Sequence, residues 1–472
     1  MSSQEKYTAW LDPEAIDTAL TQAKQADKKR QREILAKAAE KKGLTIEESA
    51  VLMEMDDPEI LGEMFTLAKK IKEEIYGRRI VLFAPMYISN HCKNECLYCA
   101  FRASNKELKR RALTMEEIAL ETRLLVNQGH KRTLMVAGES YPDDQGFEYI
   151  LKAIETIYSV QGDKPGANIR RVNVNLAPVG INAFKKLEEA KIGTFQVFQE
   201  TYDRKIYAEL HKSGRKADFD WRVTAMHRAM EAGLGDVGVG VLYGLADWRF
   251  DSLSLLQHIA DLDKTFGIGC HTISVPRLEP AHGSSFATSS PHAVNDNAFK
   301  KIVAVLRLAV PYTGMIMSTR ENEQMRQETL ELGVSQISAG SRTNPGGYAE
   351  AEATERFDES QFQLGDHRSL DEVVLDLAER GFIPSNCTAC DQLGRMGAKF
   401  MPFAKSGKIK NHCTPNALST FEEYLIDYAT PQTKQAGCSL IEREMSRLSE
   451  GDQRRADELL KRVKQGEREC LC

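Results

Sequence analysis

Between residues 79 and 345 the apolar positions of this chain alternate between two rhythms. Short runs rich in Val, Ile, Leu, Phe and Met, at 80–88, 133–137, 172–176, 194–198, 237–242, 272–275, 314–317 and 334–339, predict buried strands. Between them apolar residues recur at helical spacing, at 147–158, 184–189, 221–232, 253–263, 299–310 and 324–332. A further helix opens at the capping box formed by Thr114 and Glu117. Eight strand–helix units in about 265 residues predict an α/β fold, a complete (β/α)8 barrel of TIM type, which typically takes about 250 residues. In that fold the catalytic groups sit just past the C-terminal ends of the strands.

The flanks read differently. Residues 1–78 form an N-terminal helical extension: Thr45 and Glu48 make a capping box ahead of Val51, Leu52 and Met55, and Pro58 opens a run through Ile71 and Ile75. This stretch has no cysteine or histidine. From Gly346 and Gly347 to residue 472 lies a mostly helical C-terminal domain, with a helix capped by Ser369 and Glu372. The predicted division is therefore 1–78, the barrel at 79–345, and 346–472.

Composition narrows the setting. A chain of 472 residues with 42% hydrophobic and 28% charged residues has the make-up of a soluble globular protein. Its net charge of -5 and pI near 6.1 argue against a nucleic-acid binder, whose domain is normally basic. No signal-peptide core and no apolar run of about 20 residues is present, so the expectation is a cytoplasmic protein without a membrane span. Six of the ten cysteines fall into two sets; Cys270, Cys438, Cys470 and Cys472 are scattered. Clustered cysteines in a large cytosolic chain point to metal binding rather than to disulfides.

The first set, Cys92, Cys96 and Cys99, directly follows the first predicted strand, where a barrel carries chemistry. Three thiolates on a four-iron cluster leave one iron open to another ligand; a zinc site completed by His91 is the alternative. After strand two come Gly138, Glu139 and Ser140, a small turn with a carboxylate able to accept from an ammonium group. Glu200 ends strand four and Arg222 follows, as an acid–base pair for a ligand or as a rim ion pair. Past strand seven, Ser318 and Arg320 sit where an arginine grips a carboxylate in bidentate fashion, which suits an amino-acid substrate; a salt bridge is the other reading. The second set, Cys387, Cys390 and Cys413, lies beyond the barrel, with His412 as a fourth ligand if the metal is zinc.

The C-x3-C-x2-C loop with Tyr98 before its last cysteine resembles the signature of the radical S-adenosylmethionine (SAM) superfamily. That resemblance implies a SAM-binding 4Fe-4S cluster and cleavage of SAM to a 5'-deoxyadenosyl radical. Ala137, Gly138 and Glu139 are similar to the superfamily's Gly-Gly-Glu motif, which holds the methionyl amine, and Tyr98 would lie along the adenine. Glu200 and Arg222 would then hold the ribose and carboxylate of SAM. The stretch from His271 through Pro276, Arg277, Leu278, Glu279 and Pro280, with Ser318 and Arg320, looks like the aromatic amino-acid lyase branch.

The C-x2-C-x22-C set resembles, within that branch, the tyrosine lyases of FeFe-hydrogenase maturation. Those enzymes cleave the Cα–Cβ bond of L-tyrosine to p-cresol and dehydroglycine, with Arg320 here on the tyrosine carboxylate. The resemblance also implies a second 4Fe-4S cluster with an additional iron, where dehydroglycine yields CO and cyanide for an Fe(CO)(CN) unit. A neutral imidazole suits that extra ferrous ion, and His271 is the candidate, with His282 as its rival. Two distant centres imply a closed internal channel. A thiazole-pathway lyase releasing dehydroglycine, or a non-enzymatic iron-sulfur scaffold, are the competing readings. Expected partners are L-tyrosine, other hydrogenase maturation proteins, and a flavodoxin or ferredoxin steered by the basic loop of Arg102, Lys106, Lys109, Arg110 and Arg111.

Overall fold

In this computed structural model, residues 8–140, 147–350, 359–392, 401–406 and 409–472 are described. Eight parallel strands run in chain order: β1 (Arg79–Ser89), β2 (Arg132–Ala137), β3 (Arg171–Asn175), β4 (Phe195–Glu200), β5 (Val237–Val241), β6 (Thr272–Ser274), β7 (Gly314–Met317) and β8 (Gln336–Ser338). Each pairs with the next, and β1 pairs with both β2 and β8, so the sheet closes into a complete (β/α)8 barrel. The capping boxes at Thr45, Thr114 and Ser369 form as the sequence predicts, each with its glutamate returning to the cap backbone.

The alternation Val-Gly-Val-Gly-Val of β5 shows how the interior is shaped. Val237, Val239 and Val241 are buried, whereas a Cβ at Gly238 would stand 2.5 Å from Thr272 and one at Gly240 would stand 2.8 Å from the Phe198 ring. Glycine therefore makes room for large inward side chains of the neighbouring strands.

Two features depart from the sequence reading. The helix expected over 221–232 is two short ones, Phe219–Val223 and Ala225–Glu231. They break at Thr224, whose hydroxyl donates to the Asp220 carbonyl at 2.6 Å and accepts from Arg228 at 2.6 Å, a local competitor for the backbone ladder. A ninth strand, β9 (Ile383–Ser385), was not anticipated. It pairs with Arg79, Ile80 and Val81 at the start of β1, ahead of the residues that β2 takes. It brings the C-terminal region to the N-terminal end of the barrel.

The N-terminal helices Pro13–Ala23, Ile46–Glu54 and Pro58–Tyr76 pack on the barrel's outer helices Trp248–Phe266 and Asp296–Ala309. Below β9 lie the helices Leu370–Glu379, Lys410–Asp427, Pro431–Met445 and Glu450–Lys464. Among the described residues no helix is long and apolar enough to cross a membrane.

Candidate active site and second cysteine centre

At the C-terminal end of the strands a cavity of about 190 Å³ is lined by Cys92, Cys96 and Cys99, with Tyr98, Gly138, Glu139, Glu200, Arg222, Ser318 and Arg320. His91 and Ser140 do not line it. The cysteine loop is held by its neighbours' backbone: Leu97 N–H donates to Leu210 O at 3.0 Å, Glu95 N–H to Ser213 O at 3.1 Å, and Lys212 N–H to Glu95 O at 2.9 Å. Gly138 N–H donates to Ser89 O at 2.9 Å, and a Cβ on Gly138 would stand 2.3 Å from the His91 carbonyl. Only glycine lets the motif after β2 lie against the cysteine loop. Burial pushes the Cys99 thiol up and the Cys96 thiol well above its usual range.

The opposite wall is a charged lattice. Glu200 Oε1 stands 2.5 Å from Lys216 Nζ and 3.2 Å from Arg222 Nη2, and Arg222 Nε donates to Phe198 O at 2.8 Å. Burial alone would raise the Glu200 carboxyl; Lys216 and Arg222 outweigh it and hold the group below its usual range. Glu200 has φ of 78°, a left-handed conformation that a glutamate adopts only under constraint. The Tyr98 hydroxyl lies 2.8 Å from His211 Nε2, and Lys216 Nζ lies 5.6 Å from the Tyr98 ring centroid. Asn94 donates to Glu139 and accepts the Lys216 N–H at 3.1 Å. The sequence analysis missed Lys216, which stands far past the end of a strand, and Asn94, which the three cysteines around it overshadowed.

Toward the centre of the mouth the Arg320 guanidinium lies 3.3 Å from the Phe362 ring centroid, and among the described residues no carboxylate pairs with it. Ser318 Oγ accepts the Arg320 N–H at 3.4 Å. Tyr87, on β1, donates its hydroxyl to Gln361 at 2.7 Å. Arg277 is instead the salt-bridge case: it is committed to Glu321, to Asp296 at 2.8 Å and to Val294 O at 2.9 Å. The basic loop is likewise partly internal. Arg110 donates to the carbonyls of Asn90, Phe101, Arg102 and Asn105, and Arg111 pairs with Glu117 and Glu350.

At the other end of the barrel a smaller cavity, about 70 Å³, is lined by Cys387, Cys390 and Cys413 with His271, Asp236, Arg79, Arg132 and Arg171. Cys387 stands two residues past β9, and Cys413 stands on the helix Lys410–Asp427. Burial pushes the Cys387 thiol up to about 12; at His271 burial, joined by Arg171, Arg132 and Arg79, outweighs Asp236 and keeps the imidazole neutral, the form that binds metal. His271 Nδ1 is 3.7 Å from Asp236, which Arg171 holds. His412 faces the same three cysteines across a third small cavity. His282 lies elsewhere, 3.5 Å from Glu107. The two larger cavities are lined by successive same-face positions of shared strands: Val81 and Phe83, Thr272 and Ser274, Gln336 and Ser338.

Three convergent thiols suit an iron-sulfur cluster at the first cavity, because for Cys96 and Cys99 coordination supplies the charge that burial withholds. The paired carboxylates and cations around them suit a zwitterionic ligand. Such a barrel and site define a radical SAM protein: residues 86–256 match the Radical SAM superfamily, and residues 274–383 match the Biotin and Thiamin Synthesis associated domain. A crystal structure of HydG, a maturase of the FeFe-hydrogenase, is 47% identical over 98% of this chain and 100% of its own, with a TM-score of 0.94. HydG from Carboxydothermus hydrogenoformans is 40% identical over 98% and 100% of the two chains, with a TM-score of 0.83. The 2-iminoacetate synthase of Escherichia coli (strain K12) is 28% identical over 69% of this chain and 82% of its own. The chain belongs to the HydG family of radical SAM proteins.

Proposed function

We propose that this protein is a radical SAM tyrosine lyase that cleaves the Cα–Cβ bond of L-tyrosine to p-cresol and dehydroglycine. It then converts dehydroglycine to CO and cyanide, delivered on iron for FeFe-hydrogenase assembly. One observation carries the two-step reading: three thiols and a neutral imidazole line a cavity that faces the first one along the barrel axis. A lyase that merely releases dehydroglycine has no use for that second centre.

When bound, the first cluster and SAM supply a radical that abstracts hydrogen from the substrate. Cys92, Cys96 and Cys99 would hold that cluster, with SAM bound in the same cavity. Glu139 takes the methionyl ammonium, Glu200, Lys216 and Arg222 its ribose and carboxylate, and Tyr98 packs on the adenine. Arg320 binds the tyrosine carboxylate; with Phe362 covering its guanidinium, water is kept from the charge it offers. Ser318, whose Oγ already accepts the Arg320 N–H, orients that loop.

Cys387, Cys390 and Cys413 hold a second 4Fe-4S cluster, and His271 the additional iron, its imidazole oriented by Asp236. The two facing cavities, lined by successive positions of the same strands, support an internal passage for dehydroglycine between them. Reduction falls to a flavodoxin or ferredoxin, and the iron product passes to other maturation proteins in the cytoplasm.

The test is an anaerobic assay of reconstituted protein with SAM, tyrosine and reductant, read for 5'-deoxyadenosine, p-cresol, CO and cyanide. It is repeated with Cys387→Ser and Cys390→Ser together. Loss of CO with p-cresol retained is the expected result. Wild-type protein that makes p-cresol but never CO would leave the releasing lyase as the correct reading, and protein that makes neither removes the lyase assignment.

A further inference from the structure

Gln361 reaches the first cavity from beyond the barrel and is tied at four points. Its backbone N–H donates to Thr343 O at 3.0 Å, and its carbonyl accepts the N–H of Ala100, inside the cysteine loop, at 3.4 Å. Its side chain spans two functional groups: Oε1 accepts the Tyr87 hydroxyl at 2.7 Å, and Nε2 donates to Cys99 Sγ at 3.8 Å. The amide's orientation follows from chemistry. A ligating thiolate only accepts, so the NH2 faces sulfur, and the oxygen is left for the hydroxyl of Tyr87.

We infer that Gln361 is a positioning residue that sets the reduction potential of the cluster held by Cys92, Cys96 and Cys99. This rests on the reading of those cysteines as cluster ligands. Reduction adds negative charge that spreads onto the ligating sulfurs, so an N–H donated to Cys99 Sγ favours the reduced form more than the oxidised one. Gln361 therefore makes the cluster easier to reduce. Tyr87 anchors the donor from the far side, and it lines the same cavity as Arg320. The amide links the substrate end of the site to the electron-accepting end.

The experiment is a potentiometric titration of reconstituted full-length protein, followed by electron paramagnetic resonance of the reduced signal that changes on adding SAM. Gln361→Leu is expected to move that midpoint to more negative potential, with iron content and the signal unresponsive to SAM unchanged. Tyr87→Phe, which loosens the amide but keeps it, is expected to shift the midpoint less, in the same direction. A Leu variant with an intact cluster and the wild-type midpoint overturns the inference. Where the Leu variant assembles no cluster, Gln361→Met is read the same way: it keeps the length, removes the donor and adds no charge, and an unmoved midpoint again overturns it. Wild-type protein that forms no SAM-responsive cluster removes the underlying cysteine reading instead, and is recognised before any variant is compared.

Discussion

Asp251 accepts the backbone N–H of Tyr202 at 2.7 Å, through the same oxygen that accepts the Thr201 hydroxyl at 2.9 Å. Those two residues directly follow Glu200, whose backbone is left-handed. Asp251, in the first turn of the helix Trp248–Phe266, thus holds from behind the loop that carries Glu200 into the first cavity. Its other oxygen is buried without a hydrogen-bond partner. Burial above all, with repulsion from Asp203 and Asp247, raises its carboxyl from 3.8 to about 7 despite the two bonds it accepts.

The sign of the resulting pH dependence follows. A carboxyl raised in the folded state binds more protons there than in the unfolded chain, so stability falls as pH rises from about 4 to about 7 and then levels. Asp251→Asn keeps both bonds through its amide oxygen and has no proton to lose. Its melting temperature is expected to exceed the wild type's by an amount that grows from pH 5 to 7 and is flat above. Neighbouring His227 and His258, kept neutral by burial, titrate alike in both proteins and cancel in the difference. A difference independent of pH would show that Asp251 is already ionised when folded.

Lys216 is the second grip on Glu200, 2.5 Å from its carboxylate. Removing one charge-assisted hydrogen bond is worth about 1.5–3 kcal/mol, and with Arg222 still in place the lower end applies. Lys216→Met is therefore expected to weaken equilibrium binding of SAM about tenfold while the first cluster keeps its iron. Unchanged affinity would mean that Arg222 orients the carboxylate alone.

What was readable in the chain follows from how far each contact reaches along it. The cysteine loop, the glycine–glutamate turn after β2 and the three capping boxes are each closed within a few residues, so spacing alone discloses them. Gln361 meets Cys99 from 262 positions away, on a segment with no periodic pattern. β9 is three residues long and contains Pro384, which argues against a strand until its pairing with Ile80 is seen. The second cysteine set was legible, but its place at the N-terminal end of the barrel was not, because only β9 puts it there. His271 and His282, alike in sequence, are separated by β6: one precedes the strand and one follows it, so they stand at opposite ends of the barrel.

The Arg320 guanidinium is stacked on Phe362 and makes no ion pair among the described residues; Glu279 and Glu200 act on it only through space, and burial outweighs them to lower its pKa. A buried cation that awaits an anion gains most when the ligand supplies one. Arg320→Met is expected to raise the KM for tyrosine on the order of 30- to 100-fold, about 2–3 kcal/mol, with SAM affinity unchanged. Arg320→Lys keeps the charge but loses the fork, and should fall between. If tyrosine binds Arg320→Met as tightly as the wild type, its carboxylate lies elsewhere.

The basic loop divides into two kinds of residue. The side chains of Lys106 and Lys109 are exposed, whereas Arg110 spends its guanidinium on four backbone carbonyls of the cysteine loop at 2.6–3.3 Å. Exposed charge acts at a distance and is screened by salt; internal hydrogen bonds are not. Lys106→Glu with Lys109→Glu is therefore expected to slow reduction of the first cluster by flavodoxin in anaerobic stopped-flow, most at low ionic strength, with the deficit closing as salt rises. Arg110→Glu should do something different: it leaves those carbonyls without donors, and is expected to lower the iron bound at the first site whatever the salt. Reduction by dithionite, a small reductant that needs no docking surface, should stay at the wild-type rate in the lysine pair. If dithionite slows as well, the lysines act on the cluster's surroundings rather than on the partner.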